Sequence, residues 1–351
     1  MLDMFREYRD KLVLEIDIFF RSLRDSFIIN DSLFYDSLDR LYDFLCSGKM
    51  LRGSMVLFSE SMFSGKYSDD AVKCAVSLEI LQSGLLIHDD IMDRDTKRRG
   101  KDSLFFQYKK MMDKIGLSDS YHVGESMGIC LGDFAFSLSF LILGEIQKKE
   151  VLDKIILKFG QESAIIGIGQ MKDVFMSSKR EVPSEDDIIL TYKYKTARYS
   201  FSLPLSLGAI IAGIGEKDLL LLEEIGEYIG IMFQIQDDKL GLIGDPSVTG
   251  KPIGSDIKEN KKTIYYLYLM NSVNDSEKAI LNEFFGNENI TYKEVEFVIS
   301  LCNKYGVFEK VDKKLEHYSY IAKDKISYLP VSDTYKRYLF DIIEYNLRRN
   351  K

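Results

Sequence analysis

The stretch Leu86-Ile87-His88-Asp89-Asp90-Ile91-Met92-Asp93-Arg94-Asp95 closes a long apolar run in which Leu78, Leu81 and Leu85 recur at three- and four-residue spacing. That spacing is the period of a helix with a buried stripe. On such a helix Asp89 and Asp93 share one face, one turn apart, with Asp90 alongside. Like charges so placed repel and destabilise a bare helix. Two readings account for them. One is a solvated helix end with ordinary acids. The other is a hard divalent cation, because Mg2+ takes one or two carboxylates together with substrate phosphates.

A second acid pair lies downstream, in Phe233-Gln234-Ile235-Gln236-Asp237-Asp238-Lys239-Leu240-Gly241. It closes a charge-free, largely apolar stretch from Tyr228 to Gln236. Two acid pairs, each ending an apolar helix, read as two facing walls of one cavity, or as coincidence. Asp69-Asp70 and Asp186-Asp187 sit in polar surroundings near turns and fit coincidence better.

The rest of the chain sets the frame. With 46% hydrophobic and 29% charged residues over 351 positions, it has enough apolar material for a large core. That excludes a mainly disordered chain and a small stapled scaffold. Only 5 prolines and 24 glycines punctuate it, which favours long helices over a many-turned β architecture. A net charge of −8 argues against general nucleic-acid binding. Cys46, Cys74, Cys130 and Cys302 are widely spaced and read as reduced, buried thiols of a cytoplasmic protein. Three scattered histidines, His88, His122 and His317, make a His-based metal site improbable. The N-terminus carries both charge signs within ten residues, unlike a signal peptide. The charge-free stretch Tyr199–Gly215 falls short of a membrane span and reads as a buried core helix.

Periodicity and breaks place candidate helices near 3–22, 32–46, 48–64, 69–93, 121–147, 149–178, 184–213 and 216–241. Shorter ones follow near 261–272, 276–286, 291–305, 307–325 and 332–349. The expected architecture is all-α, one large helical bundle over residues 1–351.

Basic residues flank both acid clusters. Lys49 and Arg52 lie one turn apart at a helix start, Arg98-Arg99 follow the first acids, Lys195 precedes the apolar core run, and Lys251, Lys261 and Lys262 follow the second acids. Cations beside paired acids suit a polyanion such as diphosphate, held partly through metal and partly through charge-assisted hydrogen bonds.

Taken in order, these segments resemble the trans-polyprenyl diphosphate synthases, and among them the geranylgeranyl type. The matching motifs are Gly48-Lys49-Met50-Leu51-Arg52, Asp89-Asp90-Ile91-Met92-Asp93 with Arg98-Arg99-Gly100, Gly169-Gln170-Met171-Lys172-Asp173, Lys195-Thr196-Ala197 and Phe233-Gln234-Ile235-Gln236-Asp237-Asp238. Gly250-Lys251-Pro252 and the segment from Asp256 to Thr263 complete the set. The resemblance implies an isoprenoid-synthase bundle around a central cavity and Mg2+ as cofactor. Its substrates are isopentenyl diphosphate and an allylic diphosphate. It also implies a homodimer.

Carried residue by residue, the resemblance gives Asp89, Asp93 and Asp237 as metal ligands, with Asp90 and Asp238 as accessory groups. Arg98, Lys195, Lys251 and Lys261 would contact the allylic diphosphate. Lys49, Arg52, Gln82 and Arg99 would hold isopentenyl diphosphate. Thr196 and Gln234 would set oxygen dipoles near the carbocation. The family's mechanism gives the final proton to the released diphosphate, so no side-chain base is required, and His88 is assigned a structural role.

Three departures stand out. Gln82 replaces a frequent histidine, Gly241 replaces a third aspartate, and Lys101-Asp102-Ser103-Leu104 replaces a proline-threonine stretch. Chain length rests on Leu81, Gly84 and Leu85, because bulk four and five residues before Asp89 blocks short cavities in the family. Glycine at 84 offers no floor, which predicts a geranylgeranyl or somewhat longer product. The alternative has Gly84 permitting close helix packing, with Leu81, Phe134 or Phe136 closing the pocket. Two other functions compete. A noncatalytic regulatory subunit would have lost one acid motif. A class I terpene cyclase would not need the second set of cations.

Overall fold

Polar residues begin the helices where the sequence places breaks. In the computed structural model, which describes residues 2–27, 29, 31–244 and 253–348, Asp31 caps the second helix by accepting the Leu33 N–H at 2.7 Å. Ser68 and Ser184 cap two more by accepting the N–H groups of Ala71 and Asp187. The helices leading to the acid motifs are α1 (Leu2–Ser26), α2 (Ser32–Cys46), α3 (Leu51–Ser64), α4 (Asp69–Met92), α5 (Leu104–Lys114) and α6 (Ser120–Leu143). After them come α7 (Lys149–Ser178), α8 (Glu185–Tyr192), α9 (Leu203–Ile211) and α10 (Glu216–Ile243). Helices at Ser255–Lys258, Ile264–Met270, Asp275–Phe284, Tyr292–Lys304, Val307–Ser327 and Asp333–Arg348 complete the chain. The architecture is all-α, as expected.

Two compact units are present, residues 1–156 with 206–214, and residues 157–205 with 215–351. In the first unit α4 is the central helix and packs on α1, α2, α3, α5 and α6. From Asp70 to Gly84 nearly every α4 side chain is buried, so its apolarity runs all round rather than along one stripe. In the second unit α10 packs on the Val307–Ser327 and Asp333–Arg348 helices and on a π-helical segment, Lys193–Ser202.

Four local features differ from the expectation. The 184–213 helix is three consecutive segments: α8, the π-helix and α9. Pro204 lies in the first turn of α9. It lacks an N–H and its ring crowds the preceding turn, which fits a widened helix just before it. The helix expected from 48 starts at Leu51, because buried Met50 takes a left-handed backbone (φ 51°), so Lys49 precedes the helix. A short amphipathic helix, α5, buries Leu104, Phe105 and Tyr108; its lysines and brief length hid it. Lys97–Arg98 and Lys101–Asp102 form a two-stranded hairpin, with Arg99 (φ 54°) and Gly100 (φ 76°) as its turn.

Among the described residues, α4 and α6 are apolar enough by length and composition to cross a membrane. Burial within the protein covers 78% of the relevant α4 window but only 44% of the α6 window. Residues 201–211 are buried throughout, as read from the sequence. Cys74 and Cys302 are buried thiols, but Cys130 is exposed on α6, which corrects the expectation that all four are buried.

Candidate active site

The α4 helix ends at Met92, and Asp93 is its cap residue, its N–H donating to the Asp89 carbonyl at 2.9 Å. Asp89 and Asp93 are partly accessible, and Asp90 is buried. The Asp90 carboxylate accepts the Arg98 Nε at 2.7 Å and a second Arg98 nitrogen, Nη2. The same guanidinium lies 3.7 Å from both Asp89 and Asp95. Arg98 therefore neutralises a cluster of three acids from the hairpin strand. Burial pushes the Asp90 carboxyl up to about 7, against the pull of Arg98 and with help from Asp89 and Asp95.

The second acid pair divides the same way. Asp237 is exposed and Asp238 is buried. Asp238 accepts the Tyr192 hydroxyl on Oδ2 and the Gln234 amide on Oδ1, the latter at 2.8 Å. In each pair the first aspartate is presented and the second is an internal anchor. Burial, with Asp256 and Asp237 nearby, raises the Asp238 carboxyl well above the carboxylate range. The Gly241 departure has a structural counterpart. A Cβ there would lie 2.5 Å from an Asp256 carboxylate oxygen. Asp256 thus puts a carboxylate where a side chain at 241 would begin.

Cations form one set in each unit. In the first, Arg99 donates to the Phe44 carbonyl at 2.8 Å and to Ser47 Oγ at 3.0 Å, beside Gly48 and exposed Lys49. Burial of its head, and repulsion from Arg98 and Arg52 against the pull of Glu79, lower the Arg99 guanidinium. Glu79 is buried in mid-α4 and accepts the Gly53 N–H at 2.7 Å. Burial raises its carboxyl despite Gly53, Arg52 and Arg99. Gln82 lies one turn on and is also buried. In the second unit the Asp173 carboxylate takes both Lys195, at 2.6 Å, and Lys261, at 3.2 Å. Burial works against that carboxylate, but the two lysines hold it at about 2. A Cβ at Gly169 would fall 2.4 Å from the Lys195 nitrogen, so the glycine lets the two motif backbones meet. The Thr196 hydroxyl donates to Gln234 Oε1 at 2.6 Å. Lys251 lies outside the described residues.

Glu79, Asp173 and Tyr192 carry structure that the sequence reading assigned to no one. Asp173 stood inside a quoted motif, and Glu79 stood out as an acid in an apolar helix. Tyr192 gave no warning, since it looks like any core aromatic.

Near Gly84 the helices are tight. A Cβ there would sit 2.6 Å from the Phe136 ring and 2.9 Å from the Gly132 carbonyl. Of the two readings of Gly84, the structure has the close-packing one, with Phe136 laid over the glycine. Leu81 is buried and Leu85 half-buried. His88 faces α6, Nε2 lying 3.0 Å from the Ile129 carbonyl, and its ring is edge-on to Phe136 at 5.2 Å, as a structural role requires.

Among the described residues no three His, Cys, Asp or Glu side chains cluster as a ready-made metal site. Partly accessible Asp89 and Asp93 and exposed Asp237 each offer hard oxygen donors of the kind Mg2+ takes.

Comparison with known proteins places this arrangement. The polyprenyl synthetase family model matches residues 35–302. A geranylgeranyl diphosphate synthase of Saccharolobus solfataricus is 33% identical over 312 residues, 88% of each chain. A geranylfarnesyl diphosphate synthase of Aeropyrum pernix is 28% identical over 310 residues, 87% of this chain and 91% of that one. A crystal structure of a Corynebacterium glutamicum geranylgeranyl pyrophosphate synthase, complexed with isoprenyl diphosphate and magnesium, superposes with a TM-score of 0.90. It is 24% identical and covers 99% of this chain and 98% of that one, a likeness of fold. With the ordered motifs and the all-α fold, these matches make the chain a member of the polyprenyl synthetase family.

Proposed function

We propose that the protein condenses isopentenyl diphosphate with an allylic diphosphate and elongates it in trans to geranylgeranyl diphosphate or somewhat beyond. One observation carries this reading: there are two cation sets, Arg52 and Arg99 beside Glu79, and Lys195 and Lys261 on Asp173. Two diphosphates need two such sets, and a cyclase needs one. Both acid motifs are also intact, which speaks against a noncatalytic subunit.

In this reading Asp89, Asp93 and Asp237 hold Mg2+, which when bound neutralises the departing diphosphate and so eases ionisation of the allylic C–O bond. Lys195 and Lys261, with Lys251, contact the same diphosphate by charge-assisted hydrogen bonds. Arg98 adds positive charge while holding Asp89, Asp90 and Asp95 together. Arg52, Arg99, Lys49 and Gln82 fix isopentenyl diphosphate so that its double bond attacks the cation. The mutual repulsion of Arg52, Arg98 and Arg99 is relieved when a polyanion enters. Thr196 and Gln234 aim oxygen dipoles at the developing cation. The proton lost after condensation goes to the leaving diphosphate, so the chain supplies no base.

Product length is assigned to Phe136 and Leu81 rather than to an open floor at Gly84. We also assign a homodimer, supported by exposed Ile129, Phe140 and Leu141 along α6, and a cytoplasmic place without a membrane span. Light scattering on the eluting protein tests the dimer; a monomer at micromolar concentration refutes it. The function itself is tested by incubating the protein with isopentenyl diphosphate and each allylic primer, with and without Mg2+. A Mg2+-dependent linear ladder ending at twenty or twenty-five carbons is expected. A cyclic hydrocarbon, or no elongation by folded protein, overturns the proposal.

A further inference from the structure

Asp238 is one link in a chain of directed hydrogen bonds. The Ile264 N–H donates to the Tyr192 oxygen at 2.9 Å, and the Tyr192 hydroxyl donates to Asp238 Oδ2. Gln234 Nε2 donates to Asp238 Oδ1 at 2.8 Å, and Thr196 Oγ1 donates to Gln234 Oε1 at 2.6 Å. Four side chains and one backbone group therefore form a single row, joining the end of α8, the π-helix, α10 and the helix that follows Lys261.

Direction is what the row conveys. Asp238 Oδ1 accepts from the Gln234 amide nitrogen, so the donor end of that amide is turned toward Asp238. The acceptor end must then face Thr196. A threonine hydroxyl has one proton and two lone pairs, and here the proton is spent on Gln234. The Thr196 lone pairs are left for another partner, in the polarity a carbocation needs. Reversing the amide would set its NH2 against Thr196, take a lone pair of that oxygen, and lose the orientation. Tyr192 closes the far end of the row. It is 7% exposed, lies outside every motif, and fills space that a phenylalanine would fill equally well apart from the hydroxyl.

We propose that Tyr192 is a positioning residue for the condensation: its hydroxyl anchors Asp238, which fixes the Gln234 amide and through it the lone pairs of Thr196. The inference rests on the reading of Thr196 and Gln234 as dipoles facing the cation. It assigns Tyr192 to the chemical step and not to substrate binding.

The test is a double-mutant cycle on the full-length protein, with Tyr192→Phe, Thr196→Val and both together. Single-turnover rates are measured at saturating Mg2+, alongside KM for each substrate and thermal melts. Tyr192→Phe should lower the rate about tenfold, less than the ~10²–10³ lost when a preorganised dipole is removed outright. Both KM values should stay within about twofold, as expected when an interaction acts in the transition state. In the Thr196→Val background the same change should cost less than about twofold, because coupled groups are non-additive. Thr196→Ser keeps the hydroxyl and should restore the tenfold sensitivity. Equal slowing in both backgrounds, or a raised KM with an unchanged rate, overturns the proposal while leaving the Thr196 dipole intact. A wild-type rate in Thr196→Val overturns the dipole reading and this inference with it. If Tyr192→Phe melts early, Asp238→Asn replaces it in the same cycle, with the same outcomes.

Discussion

Replacing Gly84 by alanine adds one methyl group at the tightest point between α4 and α6. That carbon would lie 2.6 and 2.8 Å from two ring carbons of Phe136 and 2.9 Å from the Gly132 carbonyl oxygen. Ordinary carbon contacts need about 3.5–4.0 Å, so the ring must retreat by about 1 Å. It has little room, because it stands edge-on to His88 at 5.2 Å. His88 is itself pressed over Gly132, where a Cβ would come within 2.2 Å of its ring. The carbonyl belongs to the α6 backbone and moves only with the helix. Overpacking of this kind costs about 1–3 kcal/mol, and each kcal/mol lowers the melting temperature of a unit this size by roughly 2–4 °C. Gly84→Ala should therefore melt about 2–12 °C early, and Gly84→Phe should fail to fold before it could shorten any product. Adding Phe136→Leu to Gly84→Ala should recover most of the loss, since the clashing ring is gone. Phe136→Ala alone should lengthen the product by at least one five-carbon unit. Thermal melts of the four variants and chromatography of dephosphorylated products test both halves. Wild-type stability in Gly84→Ala, or strictly additive losses in the double variant, would refute the contact. An unchanged product from Phe136→Ala would refute its part in chain length.

The other expectations concern charge. Asp89→Ala should abolish turnover without lowering the melting temperature, whereas Asp90→Ala leaves Arg98 without its buried partner and should cost about 3 kcal/mol or more; urea melts beside activity assays separate the two, and turnover by Asp89→Ala contradicts the metal assignment. Asp173, held at about 2 by Lys195 and Lys261 against burial, has a depressed folded-state pKa. Its stabilisation is present above the ordinary carboxylate value and fades as pH falls toward 2, an effect of about 2 kcal/mol. Asp173→Asn should lose that acid-side dependence, and parallel wild-type and variant curves would contradict it. Lys262 is lowered to about 8 by burial alone; it lies 4.2 Å over the Tyr266 ring and donates to Asn260. The folded state therefore binds this proton more weakly than the unfolded chain, so stability rises with pH from about 8 to 10.5. Lys262→Met should be the more stable protein at pH 7, with the gap closing by pH 10.5. A gap constant across that range would show that Lys262 does not titrate there.

How far the sequence reaches is clearest where its patterns are local. Helix caps at Asp31, Ser68 and Ser184 depend on two or three neighbouring residues, so the breaks could be read directly. The first acid motif was readable because spacing along a helix dictates a shared face, whereas the basic motifs were read through their resemblance to the family. What could not be read was anything decided by a residue far along the chain. Met50 turns left-handed where its buried side chain must fit, and Lys49 leaves the helix as a result. The hairpin at 97–102 rests on Arg99 accepting a positive φ, which composition does not advertise for arginine. Gly84 allowed two meanings until Phe136, fifty-two residues away, was found on top of it.

The same limit explains the two acid pairs. Asp89-Asp90 and Asp237-Asp238 are identical dipeptides, and nothing local distinguishes the presented acid from the buried one. The distinction is made by Arg98 in one case and by Tyr192 with Gln234 in the other. Both anchors answer the same problem. The first acid of each pair stays accessible, and its neighbour on the next position of the helix points elsewhere, into the protein. There it needs a partner, a need that Asp90 meets through Oδ1 alone. The first motif solves this with a cation, the second with neutral donors. In the first motif Asp89, Asp90 and Asp95 share the charge of Arg98. Asp238 instead takes its hydrogen bonds from the uncharged Tyr192 and Gln234, so its anchoring brings no cation beside Asp237.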